Sequence, residues 1–129
     1  MSLSKEQSVI FDAYKDGKNI FMTGPGGTGK TYLISQIYEN AISNNKRISV
    51  TALTGIASII LNCDAVTIHS WAGIGICRLD EDSIIERVCS SDFKRFNWLN
   101  TDILIVDEVS MMSKKVFEVL DKTGRKLLN

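Results

Sequence analysis

Hydrophobic residues recur along this chain with two different spacings, and the change between them separates predicted helices from predicted strands. Spacings of three and four residues, typical of amphipathic helices, alternate with short apolar runs, which are typical of buried strands. The predicted segments are a short helix over 4–16, a strand and a helix within 19–43, a strand at 48–52, helices over 56–61, 79–89 and 93–99, a strand over 103–108 and a final helix over 113–128. Glycines punctuate residues 67–76, which predicts mostly loop there.

The alternation of strands with helices favours an α/β fold with a mostly parallel sheet. The run Ile103–Val106 is apolar at every position, which predicts a strand buried on both faces of such a sheet. Ser4 and Gln7 form a capping-box pattern at the start of the first helix. We find no repeat, low-complexity tract or interdomain linker, so the 129 residues are expected to form one domain or part of one.

A glycine-rich motif joins the predicted strand at 19–23 to the helix that follows it. The motif has the pattern G-x-x-x-x-G-K-T, the loop that wraps the phosphates of a nucleoside triphosphate. Glycines let backbone N–H groups approach the phosphates, and the following helix N-terminus adds partial positive charge. The lysine can reach the β- and γ-phosphates, and the threonine hydroxyl suits Mg²⁺. We therefore predict an ATP-binding loop, with Thr31 as a magnesium ligand, formed by Gly24, Pro25, Gly26, Gly27, Thr28, Gly29, Lys30 and Thr31.

Two acidic residues, Asp107 and Glu108, end the apolar strand that begins at Ile103. Ligands of open parallel sheets bind at the carboxyl ends of the strands, so this pair is expected to face the same crevice as the glycine-rich loop. Asp107 fits the role of a Mg²⁺ partner, and Glu108 can deprotonate a water for attack on the γ-phosphate. We predict an ATPase with Lys30, Asp107 and Glu108 as catalytic residues. The alternative is that two acids simply mark the surface end of a strand.

Composition and charge bound the remaining possibilities. The formal net charge is zero, so no global basic field argues for nucleic acid and none argues against a local basic groove. Cys63, Cys77 and Cys89 do not combine with the single histidine into zinc-finger spacing, and we expect reduced thiols that fill core space. No stretch approaches a membrane span. We expect a soluble, intracellular monomer with no membrane partner; nucleus, mitochondrion, cytoplasm and viral factory are not distinguished.

Three further sequence blocks occur together with the glycine-rich motif. They are Leu3–Gln7, the pair Thr51–Ser58 and Thr67–Gly75, and Asp107–Met111. In this order, and over nearly the whole chain, they resemble the PIF-type 5′-to-3′ DNA helicases, relatives of RecD in helicase superfamily one. The resemblance implies a P-loop NTPase fold of the RecA-like, three-layer α/β/α type. It also implies ATP hydrolysis coupled to movement on single-stranded DNA, in DNA repair, recombination, replication or telomere maintenance.

The resemblance also assigns roles to individual residues. Gln7 corresponds to a glutamine that reads the adenine edge; the alternative is its place in the capping box, and one residue could not easily do both. Thr54, His69 and Ser70 lie in a DNA-facing segment, 48–76, and correspond to contacts with the bound single strand. His69 could instead be a packed core histidine. Trp71 and Trp98 could stack on bases, but core packing is the expectation for both.

Helicases of this type also need a second RecA-like lobe, a glutamine that senses the γ-phosphate and an arginine finger. None of these occurs before Asn129, so residues 1–129 are expected to form an incomplete first motor lobe, with one sheet strand supplied by later sequence. The chain alone is therefore predicted to bind ATP weakly at best and not to unwind DNA. Two alternatives stay open: a stand-alone P-loop ATPase switch without a nucleic acid partner, and an inactive truncated nucleotide-binding fragment.

Overall fold

The computed structural model describes residues 3–18, 20, 29–76 and 78–128. The elements in chain order are α1 (Lys5–Lys15), α2 (Lys30–Ser43), β1 (Ile48–Ala52), α3 (Gly55–Leu61), β2 (Val66–Thr67), α4 (Ile68–Ala72), α5 (Glu81–Ser90), α6 (Asp92–Leu99), β3 (Ile103–Asp107), a 3₁₀ turn (Val109–Met111) and α7 (Lys114–Leu128). The predicted strand at 19–23 lies outside the described residues except for Ile20. No helix in the described ranges is long and apolar enough to cross a bilayer.

Residues 1–46 form one compact unit, in which α1 and α2 are the described helices. The α1 helix begins with a capping box: the Ser4 hydroxyl accepts from the Gln7 N–H, and the Gln7 side chain accepts from the Ser4 N–H. The Tyr14 hydroxyl donates to Oδ1 of Asn40 at 2.9 Å, which ties α1 to α2. The α2 helix turns one apolar face inward, and the buried residues on it are Leu33, Ile34, Ile37 and Ala41.

Residues 47–129 form a second unit around a three-stranded sheet with the order β2-β1-β3. The β1 strand pairs with β3 in parallel, from Ile48 opposite Ile103 to Ala52 opposite Asp107. The short β2 strand pairs in parallel with the other edge of β1. The buried hydroxyl of Thr51 donates to the carbonyl of Ile105 at 2.8 Å, so it has a partner despite full burial. The predicted α/β fold with a parallel sheet is confirmed.

The core of the second unit contains side chains from α4, α5, α6 and α7. The rings of Trp71 and Trp98 lie 4.9 Å apart within it, which confirms that both tryptophans pack in the core. The indole N–H of Trp98 donates to the Ala72 carbonyl at 3.0 Å. The buried members of this cluster are Ile68, Trp71, Ala72, Ile74, Ile84, Ile85, Val88, Trp98, Val116 and Val119.

The prediction of mostly loop over residues 67–76 is wrong. The segment contains the end of β2 and the short helix α4. The Thr67 side chain caps α4 by accepting from the Ser70 N–H, and α4 buries Ile68, Trp71 and Ala72. Apolar burial against the core therefore stabilises a helical turn that glycine content alone did not predict. The left-handed Gly73, with φ +73°, then ends the helix.

Two burial predictions also need correction. The β3 strand is not buried on both faces, because Leu104 keeps 40% of its surface exposed. The reason is position: β3 forms one edge of the described three-stranded sheet. Among the cysteines, Cys89 packs against the core as expected. Cys63 instead lies half-buried in the turn after α3, where its φ is +52°. Cys77 lies outside the described residues.

Candidate nucleotide and nucleic-acid site

The turn from Gly29 into α2 is the described end of the glycine-rich motif. Gly29 has a left-handed backbone with φ +86°, and a Cβ placed there would lie 2.6 Å from Nε2 of Gln7. The left-handed backbone therefore favours glycine, and a larger residue at this position would displace the Gln7 amide. Lys30 is half-buried and Thr31 is exposed in the first turn of α2. The other predicted phosphate-binding residues lie outside the described part of the chain, and their role stays a prediction: Gly24, Pro25, Gly26, Gly27 and Thr28.

The Gln7 side chain connects the start of α1 to the start of α2. Its Oε1 accepts from the Ser4 N–H at 2.9 Å, and its Nε2 donates to the Gly29 carbonyl at 3.0 Å. The same carbonyl accepts the first helical hydrogen bond of α2, from the Leu33 N–H at 3.0 Å. The capping-box role predicted for Gln7 is confirmed. Its contact with adenine stays a prediction, and the bond to Gly29 was not foreseen from the sequence.

The two predicted catalytic acids occupy the carboxyl end of β3. Asp107 is the last strand residue, and Glu108 follows it with a left-handed backbone of φ +62°. Both are half-buried. The left-handed conformation is unfavourable for a residue with a Cβ, by about 1 kcal/mol or more. Strained backbone of this kind clusters at functional sites, which supports a role for Glu108.

The Thr54 hydroxyl holds the Glu108 carboxylate. It donates to Oε1 of Glu108 at 3.2 Å, while its oxygen accepts from the Ala57 N–H at 3.2 Å as the N-cap of α3. Thr54 was predicted from resemblance to contact DNA, and the structure places it against the predicted general base. The two residues are 54 positions apart in the sequence, so no local pattern could have predicted this hydrogen bond. The available signal was topological, because parallel strands β1 and β3 end at the same edge of the sheet.

The other two predicted DNA contacts, His69 and Ser70, lie on α4. His69 is half-buried rather than packed in the core, and Ser70 is exposed. Two donors from α6 fix the end of this helix: Asn97 Nδ2 donates to the Trp71 carbonyl at 3.1 Å, and the Trp98 indole donates to the Ala72 carbonyl. Asn97 therefore positions α4, and its sequence surroundings did not reveal that role.

The predicted magnesium ligands, Thr31 and Asp107, are too few to enclose a metal ion with protein side chains alone. Within the described residues, no group of three or more His, Cys, Asp or Glu side chains is placed to hold a metal. Thr31 and Asp107 supply a hydroxyl and a carboxylate, the hard oxygen donors that Mg²⁺ prefers. Such few donors fit an ion bound mainly by substrate phosphates and water. Thr31 belongs to the first unit and Asp107 to the second, so their common site stays a prediction.

Comparison with known proteins decides the family. The family model described as PIF1-like helicase matches residues 2–129. The chain belongs to the PIF1-like helicase family. The predicted family is thereby confirmed. Within the family, the ATP-dependent DNA helicase PIF1 of Saccharomyces cerevisiae (strain YJM789) is 39% identical to this chain over 127 residues, which is 97% of this chain and 15% of the yeast protein.

Solved structures of PIF1-like helicases share the fold. The crystal structure of Pif1 helicase from Candida albicans matches with a TM-score of 0.86 and 30% identity, over 98% of this chain and 28% of that one. The crystal structure of Bacteroides Pif1 bound to ssDNA matches with a TM-score of 0.68 and 30% identity, over 95% of this chain and 27% of that one. These likenesses confirm the P-loop NTPase fold of RecA-like type. The chain spans less than a third of each of these relatives.

Proposed function

We propose that this chain supplies the nucleotide-binding part and a DNA-binding surface of an ATP-dependent 5′-to-3′ DNA helicase. Membership of the PIF1-like helicase family supports the proposal, since the yeast relative is named an ATP-dependent DNA helicase. A second support is the similar Bacteroides structure, which is bound to single-stranded DNA. Because the chain covers 15% of the yeast protein, unwinding is proposed for a complete motor and not for these residues alone.

In this proposal the first unit binds the triphosphate. The Lys30 ammonium binds the β- and γ-phosphates as a point charge, and the N-terminus of α2 adds partial positive charge beside it. The bond from Gln7 to the Gly29 carbonyl holds the turn that leads into this helix. Thr31 and Asp107 would hold Mg²⁺, which when bound neutralises charge on the β- and γ-phosphates.

Glu108 acts as the general base in this proposal. A water attacks the γ-phosphorus, its proton passes to the Glu108 carboxylate, and the bond between the γ-phosphorus and the β–γ bridging oxygen breaks to release ADP. The observation that carries the proposal is the Thr54–Glu108 hydrogen bond beside Asp107. Because Thr54 occupies one carboxylate oxygen, Oε1, the other oxygen is the one that receives the proton. Thr54 is thus a positioning residue for hydrolysis.

The proposal is tested by binding and turnover of ATP in four forms of the chain: wild type, Lys30→Ala, Glu108→Gln and the control Lys46→Ala. Lys46 is an exposed lysine of the same unit as Lys30. We expect Lys30→Ala to weaken Mg-ATP binding by about tenfold or more, since it removes a charged contact, and Lys46→Ala to leave it unchanged. Glu108→Gln should keep binding and lower turnover by about a hundredfold, as expected for loss of a general base.

The alternatives predict different results. Equal background turnover in wild type and Glu108→Gln would favour a nucleotide-binding fragment without catalysis. ATP hydrolysis without salt-sensitive binding of a single-stranded oligonucleotide would favour a stand-alone ATPase switch. Strand separation by the 129-residue chain alone would contradict our expectation that unwinding needs a complete motor.

A further inference from the structure

A cavity of about 250 Å³ lies in the second unit, between the loop that follows α4 and the helices α5 and α6. Three cationic side chains line it: Arg78 from the loop, Arg87 from α5 and Lys94 from α6. None of the described residues that line it is acidic. In a chain with zero net charge, three cations from three different segments at one cavity are a local concentration of positive charge.

Three carboxylates of the segments around the cavity are engaged elsewhere. Asp80 accepts from the hydroxyl and the N–H of Ser83, as the N-cap of α5. Glu81 pairs with Lys122 of α7 at 3.0 Å, and Asp92 pairs with Arg95. Within the described part of the chain, the side chains of the three cavity cations form no ion pair or hydrogen bond. The cavity therefore presents cations whose charge is not neutralised by a paired carboxylate.

The position of Lys94 is built into the fold. A Cβ placed on Gly73 would lie 2.9 Å from Cβ of Lys94, so the lysine stem packs directly on that glycine. Gly73 also ends α4, because its N–H donates toward the carbonyls of His69 and Ser70. The cavity therefore lies next to the end of α4, the helix that carries the predicted DNA contacts His69 and Ser70.

The walls of the cavity suit a ligand with an apolar part. Ile74 and Ile84 are buried beneath it, and Leu79 is partly exposed at its side. Its volume is slightly smaller than the range of about 300–1,000 Å³ for sites that enclose whole small molecules. A phosphate with one sugar or base fits this combination of cations and apolar surface, because guanidinium groups bind phosphate in a fork and bases pack on apolar side chains.

We propose that this cavity binds one nucleotide unit of a single strand, with its phosphate held by Arg78, Arg87 and Lys94. The proposal rests on the single-strand binding in the proposed function and adds a contact point beyond α4. A free nucleotide carries the same phosphate chemistry, so the test separates the two sources.

The first measurement is the affinity of the chain for a fluorescent oligothymidylate at several salt concentrations. The variant is Arg87→Ala/Lys94→Met, in which Met keeps an unbranched stem against Gly73. The control is Lys126→Ala/Lys114→Ala, which removes the same charge from exposed positions of α7. We expect the variant to bind about three- to tenfold more weakly at low salt, and the control to bind as the wild type does. The slope of log K against log salt should become shallower by up to about 0.7 in the variant, which is the contribution of the one phosphate that the cavity binds.

The second measurement adds thymidine 5′-monophosphate, inorganic phosphate or thymidine to isotope-labelled chain and follows the amide signals of Gly73 and Gly75 by NMR. We expect the monophosphate to shift these signals, thymidine to leave them in place, and the variant to lose the response. An unchanged salt slope in the variant, together with no response of the wild-type signals to the monophosphate, overturns the proposal even if the wild type binds the oligonucleotide. Signals that respond to the monophosphate while the slope stays unchanged overturn the strand as the source. Absence of all oligonucleotide binding, with the monophosphate response intact, contradicts the proposed function and leaves a free nucleotide as the ligand.

Discussion

Replacement of Thr54 by valine is the most informative single change in this protein. Valine has nearly the same shape as threonine but lacks the hydroxyl. The hydroxyl has two partners: its oxygen caps α3 through the Ala57 N–H, and its hydrogen is donated to Glu108. Thr54→Ser keeps both bonds and is the matched control.

The size of the effect follows from the two bonds. Loss of an N-cap hydroxyl destabilises by about 1 kcal/mol. A hydrogen bond to a charged group contributes about 1.5–3 kcal/mol when well formed. The bond to Glu108 is long at 3.2 Å and both residues are half-buried, so we reduce its contribution to about 0.5–1 kcal/mol. Thr54→Val should therefore lower the free energy of unfolding by about 2 kcal/mol, or the melting temperature by about 6–10 °C.

A double-mutant cycle with Glu108→Ala separates the two bonds, with urea unfolding as the assay. In the Glu108→Ala background the threonine hydroxyl still caps α3 but has no carboxylate to hold, so Thr54→Val should cost about 1 kcal/mol. The coupling free energy between the two positions is then about 0.5–1 kcal/mol. Fully additive effects would refute the assignment of Thr54 as a residue that positions Glu108.

Three further predictions concern stability and nucleotide binding. Gly75→Ala should lower the free energy of unfolding by about 1 kcal/mol, since the φ of Gly75 is +60° and its Cβ would meet open space. Gly73→Ala should cost at least about 1 kcal/mol more, because its Cβ would also meet Lys94. Equal losses in urea unfolding would contradict the close packing of Lys94 on Gly73. The pKa of Asp80 is lowered, first by the Ser83 hydroxyl and then by its N–H, so this carboxylate stabilises the fold above its unfolded pKa and loses that effect as the pH falls through its folded pKa. The melting temperature of the wild type should therefore fall more than that of Asp80→Asn as the pH is lowered from neutral to below about 4. A difference between the two melting temperatures that stays constant with pH would be inconsistent with the cap. Gln7→Glu keeps the acceptor for Ser4 and removes the donor to Gly29, so it should weaken Mg-ATP binding while circular dichroism shows α1 intact; unchanged binding would argue against a role of this bond in the phosphate turn.

The sequence predicted those parts of the molecule that local patterns determine. The capping box at Ser4 and the core positions of both tryptophans were predicted from residue type and local pattern, and the structure has both. The short helix α4 was missed because its stability comes from buried Ile68, Trp71 and Ala72 and from bonds donated by α6, none of which is local. Exposure of Leu104 was missed because a continuous apolar run does not say whether its strand lies at the edge of a sheet.

Gln7 shows how a choice between two sequence interpretations can rest on an incomplete count of hydrogen bonds. The capping box and the adenine contact were treated as competing because each uses the side-chain amide. That amide has two N–H donors and two acceptor lone pairs. The structure occupies one acceptor with the Ser4 N–H and one donor with the Gly29 carbonyl, which leaves one of each. A donor and an acceptor on one amide are the pair that the N7 and N6 groups of adenine require. By number of donors and acceptors the two roles are therefore compatible, and we propose that a Gln7 that binds adenine keeps its bond to the turn that leads into Lys30.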